Sequence, residues 1–144
     1  MIYTLDTNVL IDAIRQPSDL VRLKQFLDWA LPRTVLSSVV ASELLTGART
    51  AQARAFVETE LLAPFARRRR IHAPSHAAWT NTGLLLGRET RRALEVAWQN
   101  DLLLAHSARE LGWLVITRDR DFASIRSYVK GLRVEAPFPR RPPS

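Results

Sequence analysis

The chain has no cysteine, which excludes a disulfide framework and any thiolate metal site. No apolar run is long enough to span a bilayer, and no basic flank followed by a long apolar stretch reads as a signal peptide. The expectation is a cytoplasmic protein without membrane attachment. No internal repeat is found. Acid is in short supply: 14 Asp and Glu stand against 21 Lys and Arg, giving a formal charge of +7. Nearly all of those cations are arginine. Such a balance suits a polyanionic partner, nucleic acid above all, although arginine-rich compositions also arise from genomic bias. His72, His76 and His106 do not cluster in sequence with the acids singled out below, and nothing signals a Ser–His–Asp mechanism. What is present is 144 residues, 47% of them hydrophobic, enough for one domain with a real core.

The opening stretch sets the pattern. Ile2, Tyr3 and Leu5 have the bias of a short buried strand, which stops on Asp6. Beyond it Val9, Leu10, Ala13 and Ile14 share a helical face, with Thr7 available as N-cap. Gln16–Asp19 is a break in which Ser18 or Asp19 caps a helix carrying Leu20, Leu23, Leu27 and Ala30, ended by Pro32. Residues 34–38 read as a second strand, and Ser37 or Ser38 caps a helix with Glu43 at the margin of its apolar face. A further helix runs from Thr50 to Leu62, and Pro64 with the Arg67–Arg70 run interrupts the chain before a brief strand at 71–73. Helical sequence resumes after Pro74–Ser75 and continues, with a break near Gly87, to Leu111, where Gly112 ends it. Residues 113–117 are the clearest strand, with Asp119 and Asp121 just past its end. Residues 132–136 add an edge strand. The domain is therefore 1–136, and the Pro- and Arg-rich 137–144 is a flexible tail.

Asp101 is the most telling position. Leu94, Ala97, Trp98, Leu104, Ala105 and Ala108 form an apolar stripe with this acid at its centre, whether the helix is continuous or is capped afresh at Gln99 or Asn100. Carboxylates are rarely buried unless paired or metal-bound. An arginine partner would explain it, but none lies on the same face within one turn.

Strands alternating with helices argue for an α/β fold with a mainly parallel sheet. Residues following different strands then share one sheet edge, where Asp6, Asp119 and the start of the Glu43 helix should meet beneath Asp101. Two carboxylates in contact repel by about 4 kcal/mol at an effective dielectric near 20, so such a cluster protonates or takes up cations. Oxygen-only donors select Mg²⁺ or Mn²⁺. An acidic metal cluster in a basic protein fits phosphodiester hydrolysis.

The segments Leu5–Asp12, Ser42-Glu43-Leu44, Asn100–Ala105 and Ile116–Phe122 together resemble the four acidic motifs of the PIN-domain family, most of all its VapC-type toxins. The likeness runs from the first residues to about Phe122 in the family's order. It implies a three-layer α/β/α domain and a Mg²⁺- or Mn²⁺-dependent endoribonuclease acting as the toxin of a toxin–antitoxin pair. A homodimer, inhibited by a small antitoxin whose tail occupies the active-site groove, is implied as well. Carried over by position, Asp6 and Asp101 would be the main metal ligands. Glu43 and Asp119 would complete the cluster, through water or a second metal, and Asn8 or Thr7 would steady Asp6. Thr117 and Asp121 are further supporting candidates. Asp119 is preferred to Asp121 as the fourth acid because its spacing from Thr117 is the family's.

Arg67, Arg68, Arg69 and Arg70 either grip RNA phosphates or form a solvated loop, with antitoxin contact a third reading; Arg91-Arg92 and Arg140-Arg141 are weaker candidates. Asp12 reads as a surface or capping residue. The four tryptophans read as core or dimer contacts rather than base-stacking platforms. Alternatives to the nuclease are an inactive basic RNA-binding module and an acid-cluster phosphatase of another α/β family. Asp6-Thr7-Asn8 lacks the second aspartate that a haloacid-dehalogenase-type phosphatase needs.

Overall fold

The β-branched and aromatic run Ile2–Leu5 forms strand β1 at the centre of a five-stranded parallel sheet. This is a computed structural model, and it describes residues 1–89, 92 and 94–144. The chain continues as α1 (Thr7–Arg15), α2 (Pro17–Ala30), β2 (Thr34–Ser37), α3 (Ser38–Gly47), α4 (Ala51–Phe56), α5 (Ala63–Ala66) and β3 (Ile71–His72). It closes with α6 (His76–Arg88), α7 (Val96–Leu111), β4 (Trp113–Ile116), α8 (Asp121–Tyr128) and β5 (Arg133–Glu135). The strand order is β3-β2-β1-β4-β5. β2 is buried at every position and β1 at all but its first, so helices cover both faces, as parallel sheets require.

Register decides where the acids go. Tyr3 aligns with Thr34 on one side of β1, and Leu5 with Ile116 on the other. The strands therefore finish level. Asp6 donates its N–H to Ile116 (2.9 Å) and Thr117 donates its own to Glu135 (3.0 Å), extending the ladder one residue past each strand end.

Several local expectations change. Asp6 itself, not Thr7, caps α1: its carboxylate accepts the Thr7 N–H at 2.8 Å. α2 starts at Pro17, whose fixed φ suits a first helical position, and neither Ser18 nor Asp19 caps it. Pro64 does not stop the helix before it. Between α4 and α5 the segment Val57–Leu62 widens into a π-turn, which reduces the clash a proline makes with a preceding carbonyl in a regular helix. Leu94 and Ala97 are exposed, so the apolar stripe around Asp101 begins at Trp98, and α7 starts at Val96 rather than at a fresh cap on Gln99 or Asn100. The expected helical continuation across residues 90, 91 and 93, with Arg91, lies outside the described residues.

α8, unanticipated, buries Phe122 and Ile125. At the C-terminus Phe138 stacks on Phe26 with ring centroids 5.3 Å apart, and Arg22 donates to the Pro137 carbonyl (3.3 Å). The end of the chain is thus held against α2 before it runs out as exposed coil from Arg140. No described helix is long and apolar enough to cross a membrane.

Candidate metal centre

Three strand exits and one helix build the site. Asp6 leaves β1, Thr117 and Asp119 leave β4, and Ser37, at the end of β2, caps α3 through the Val39 N–H (3.2 Å) and so launches the helix that carries Glu43. Asp101 descends from α7, whose buried Trp98, Leu102, Leu104 and Ala105 lock its rotation. One carboxylate oxygen from each of Asp6, Asp101 and Asp119 lies within 4.8 Å of the other two. Glu43 stands beside them, its Oε1 accepting from the Thr7 hydroxyl at 2.7 Å.

Thr117 organises the floor. Its hydroxyl donates to Asp6 Oδ2 (2.7 Å) and accepts from the Asp119 N–H (2.9 Å) and from Asn8 Nδ2 (3.3 Å). One proton and two lone pairs are fully used. The support expected of Asn8 thus reaches Asp6 through Thr117, while Thr7 serves Asp6 with its backbone and Glu43 with its side chain. Asp119 Oδ1 accepts the Asp121 N–H at 2.8 Å. Asp121 itself turns to Arg92 (3.1 Å), a cation that also holds Glu95 and lies 4.1 Å above the Trp98 ring.

Arg118, between Thr117 and Asp119, reaches back to Asp12 (2.8 Å) and Asp19 (3.3 Å). Its N–H donates to Asn8 Oδ1. This brace ties the β4 exit loop to α1 and α2, and it gives Asp12 a role in positioning that loop. The signal was available only as an arginine between two motif residues, without an indication of its partners.

Electrostatics mark the cluster as short of positive charge. Burial, together with the nearby Asp6, Asp119, Glu43 and Asp121, pushes the Asp101 carboxyl up to about 8. Burial likewise pushes Asp6 up to about 6, against the hydrogen bonds from Thr117 and Thr7 and with Asp119 and Glu43 adding to the rise. Among the described residues no arginine or lysine pairs with Asp6, Asp101 or Asp119. Three converging carboxylates with no protein cation among them fit a hard divalent ion with oxygen ligands.

Other candidates lie elsewhere. Arg67, Arg68 and Arg69 are exposed and Arg70 is half-buried, at the leading end of edge strand β3 rather than at the strand exits. His72 is exposed and packs on Trp113, and His106 is held below its usual range by burial. Next to Glu43 an apolar cleft of about 440 Å³ opens between α1, α3 and α4, walled by Ile11, Ile14, Leu44, Ala48, Phe56 and Val57.

Comparison with known proteins places the fold. The PIN domain family profile matches residues 3–127. A DNA-bound VapBC from Salmonella typhimurium superposes with a TM-score of 0.69 at 23% identity, over 94% of this chain and 98% of the other. A toxin–antitoxin complex from Klebsiella pneumoniae gives 0.65 at 23% identity, over 94% and 98%. VapBC-5 of Mycobacterium tuberculosis, a member of the VapBC family of toxin–antitoxin systems, gives 0.52 at 26% identity, over 93% and 95%. No curated protein matches in sequence.

Proposed function

Because this chain belongs to the PIN-domain family, we propose that it is a divalent-metal-dependent endoribonuclease, the toxin of a toxin–antitoxin pair. The observation that carries this reading is the convergence of Asp6, Asp101 and Asp119 at one sheet edge of a strongly basic protein. These three residues would hold a Mg²⁺ or Mn²⁺ ion, with Glu43 completing the donor set directly or through water. When bound, such an ion supplies Lewis acidity towards a water molecule and the leaving oxygen of a phosphodiester. Among the described residues Glu43 has a hydrogen-bond partner only at Oε1, from Thr7, so its Oε2 would be the oxygen that binds the ion or takes a proton from water. Thr117 and the Thr7 N–H fix both oxygens of Asp6, and the Arg118 brace fixes the loop of Asp119. Exposed arginines, Arg67–Arg70 among them, would hold the RNA strand.

The cleft beside Glu43 suits an apolar segment of a small antitoxin, since VapBC and toxin–antitoxin complexes share the fold. A homodimer in the cytoplasm is the accompanying assembly. Against the alternatives, an inert RNA-binding module has no use for three carboxylates brought within 4.8 Å of one another.

Asp6→Asn and Asp101→Asn each remove one donor. Metal-dependent RNA cleavage should fall by more than the roughly 10–100-fold that loss of an outer hydrogen-bond partner costs, with the circular dichroism of the fold retained. Expression without antitoxin should arrest growth for the wild type and for neither variant. Full cleavage by either purified variant would refute the assignment.

A further inference from the structure

A second cleft lies between α3, α6 and α7. It has a volume of about 260 Å³ and is walled by Ser38, Val39, Ser42, Trp79, Asn100 and Leu103. Ser38 follows the exit of β2, and Pro74, also at the wall, follows β3. The cleft therefore lies where α3, α6 and α7 meet. Ser42 and Asn100 are the chain neighbours of Glu43 and Asp101, so the cleft is tied to the acids through α3, which also gives it Ser38 and Val39, and through α7, which also gives it Leu103.

Its chemistry differs from that of the acid cluster. Trp79 leaves 48% of its surface open, a large planar face for an unfilled cleft. Among the described residues the side chains of Ser38, Ser42 and Asn100 make no hydrogen bond within the protein; Ser42 contributes only its backbone carbonyl, to Thr46. An aromatic platform edged by free hydroxyl and amide groups is what single-stranded RNA recognition uses. The base stacks on the ring, and its donor–acceptor edge is read by polar side chains.

We propose that this cleft is a base-binding subsite: one nucleobase beside the scissile phosphate stacks on Trp79, and the Asn100 amide with the Ser38 and Ser42 hydroxyls reads its edge. This rests on the endoribonuclease reading for the phosphate's position, but base binding itself can be measured without cleavage. The site selects among RNA sequences, whereas the acids act on any phosphodiester delivered to them.

The test measures binding of short fluorescein-labelled single-stranded RNAs by anisotropy, with matched oligonucleotides carrying one abasic position, and cleavage of the same RNAs with Mg²⁺. Trp79→Ala should weaken binding by about 10–100-fold, the range expected for one stacked base. Trp79→Phe should keep most of the affinity. The abasic RNA should bind Trp79→Ala no worse than the intact RNA does. Asn100→Ala should flatten the preference among bases at that position. Equal binding by wild type and Trp79→Ala, or no RNA binding by the wild type, overturns the subsite. So does a Trp79→Ala protein that loses a dimer by light scattering and binds RNA normally once concentrated, because the ring is then a contact between copies. RNA bound through Trp79 but never cleaved would leave the subsite standing and remove the nuclease.

Discussion

Asp101 carries the sharpest consequence at the scale of single residues. Only burial and like charges act on it, and both favour the protonated form. Its native carboxyl titrates near 8 and that of Asp6 near 6, both above the ordinary 3.8. The metal-free native state thus keeps protons that the unfolded chain releases. The stability these groups contribute is complete below the unfolded value and is lost as pH rises through about 6 and then about 8. A divalent ion competes with those protons, so it should raise the melting temperature more at alkaline than at acid pH. Without metal, Asp101→Asn should be more stable than wild type by roughly 1–2 kcal/mol at alkaline pH and nearly equal to it in acid. Thermal melts with and without Mn²⁺ check both statements. If the Asn variant gains as much from Mn²⁺ as the wild type does, Asp101 is not among the ion's donors.

The elements succeed or fail as readings according to how local their causes are. β1, β2 and β4 were legible because each is a short apolar run closed by a polar cap, and the level strand ends that gather Asp6 and Asp119 follow from a parallel sheet. The Ser37 cap of α3 and the Gly112 stop of α7 were equally local. α8 was not legible, because only Phe122 and Ile125 mark its buried face and two positions do not establish a period. Nor was the passage through Pro64, which depends on the widened turn before it. Within the site, residue identities were readable while the wiring was not: that Thr117 rather than Asn8 touches Asp6, and that Arg118 braces Asp12 and Asp19, are contacts over more than ninety residues of chain. Gly112 shows what one element's end is worth. Its φ of +73° is left-handed, and the nearest atom to an added Cβ is 3.9 Å away, so Gly112→Ala meets conformational strain rather than a clash. A loss of about 1–2 kcal/mol in denaturant unfolding is expected, with the midpoint shifted and the slope unchanged. A neutral result would mean that α7 and β4 can join through another turn.

For the whole molecule the governing feature is an acid cluster set into a basic protein. The formal charge is +7, yet acids crowd the strand exits and Asp12 and Asp19 consume Arg118 beside them. Exposed cations stand beside the acids, Arg120 next to Asp119 and Arg15 in the cleft that Glu43 also lines, and a second group stands away from them, with Arg67, Arg68 and Arg69 at the leading end of β3. An RNA strand reaching from there to the acids would run along the β3 edge and pass the Trp79 cleft, which lies on that flank. Each phosphate neutralised on a single strand steepens the dependence of log affinity on log salt by about 0.7. If the three exposed arginines each hold one phosphate, replacing Arg67, Arg68 and Arg69 together with Gln should lower that slope by roughly 2 while changing base preference little. Affinity for a long single-stranded RNA, measured across a salt series in wild type and triple variant, reads the difference directly. An unchanged slope would assign this loop to solvent and move the RNA path to the opposite flank, towards Arg22 and the arginines of the C-terminal tail.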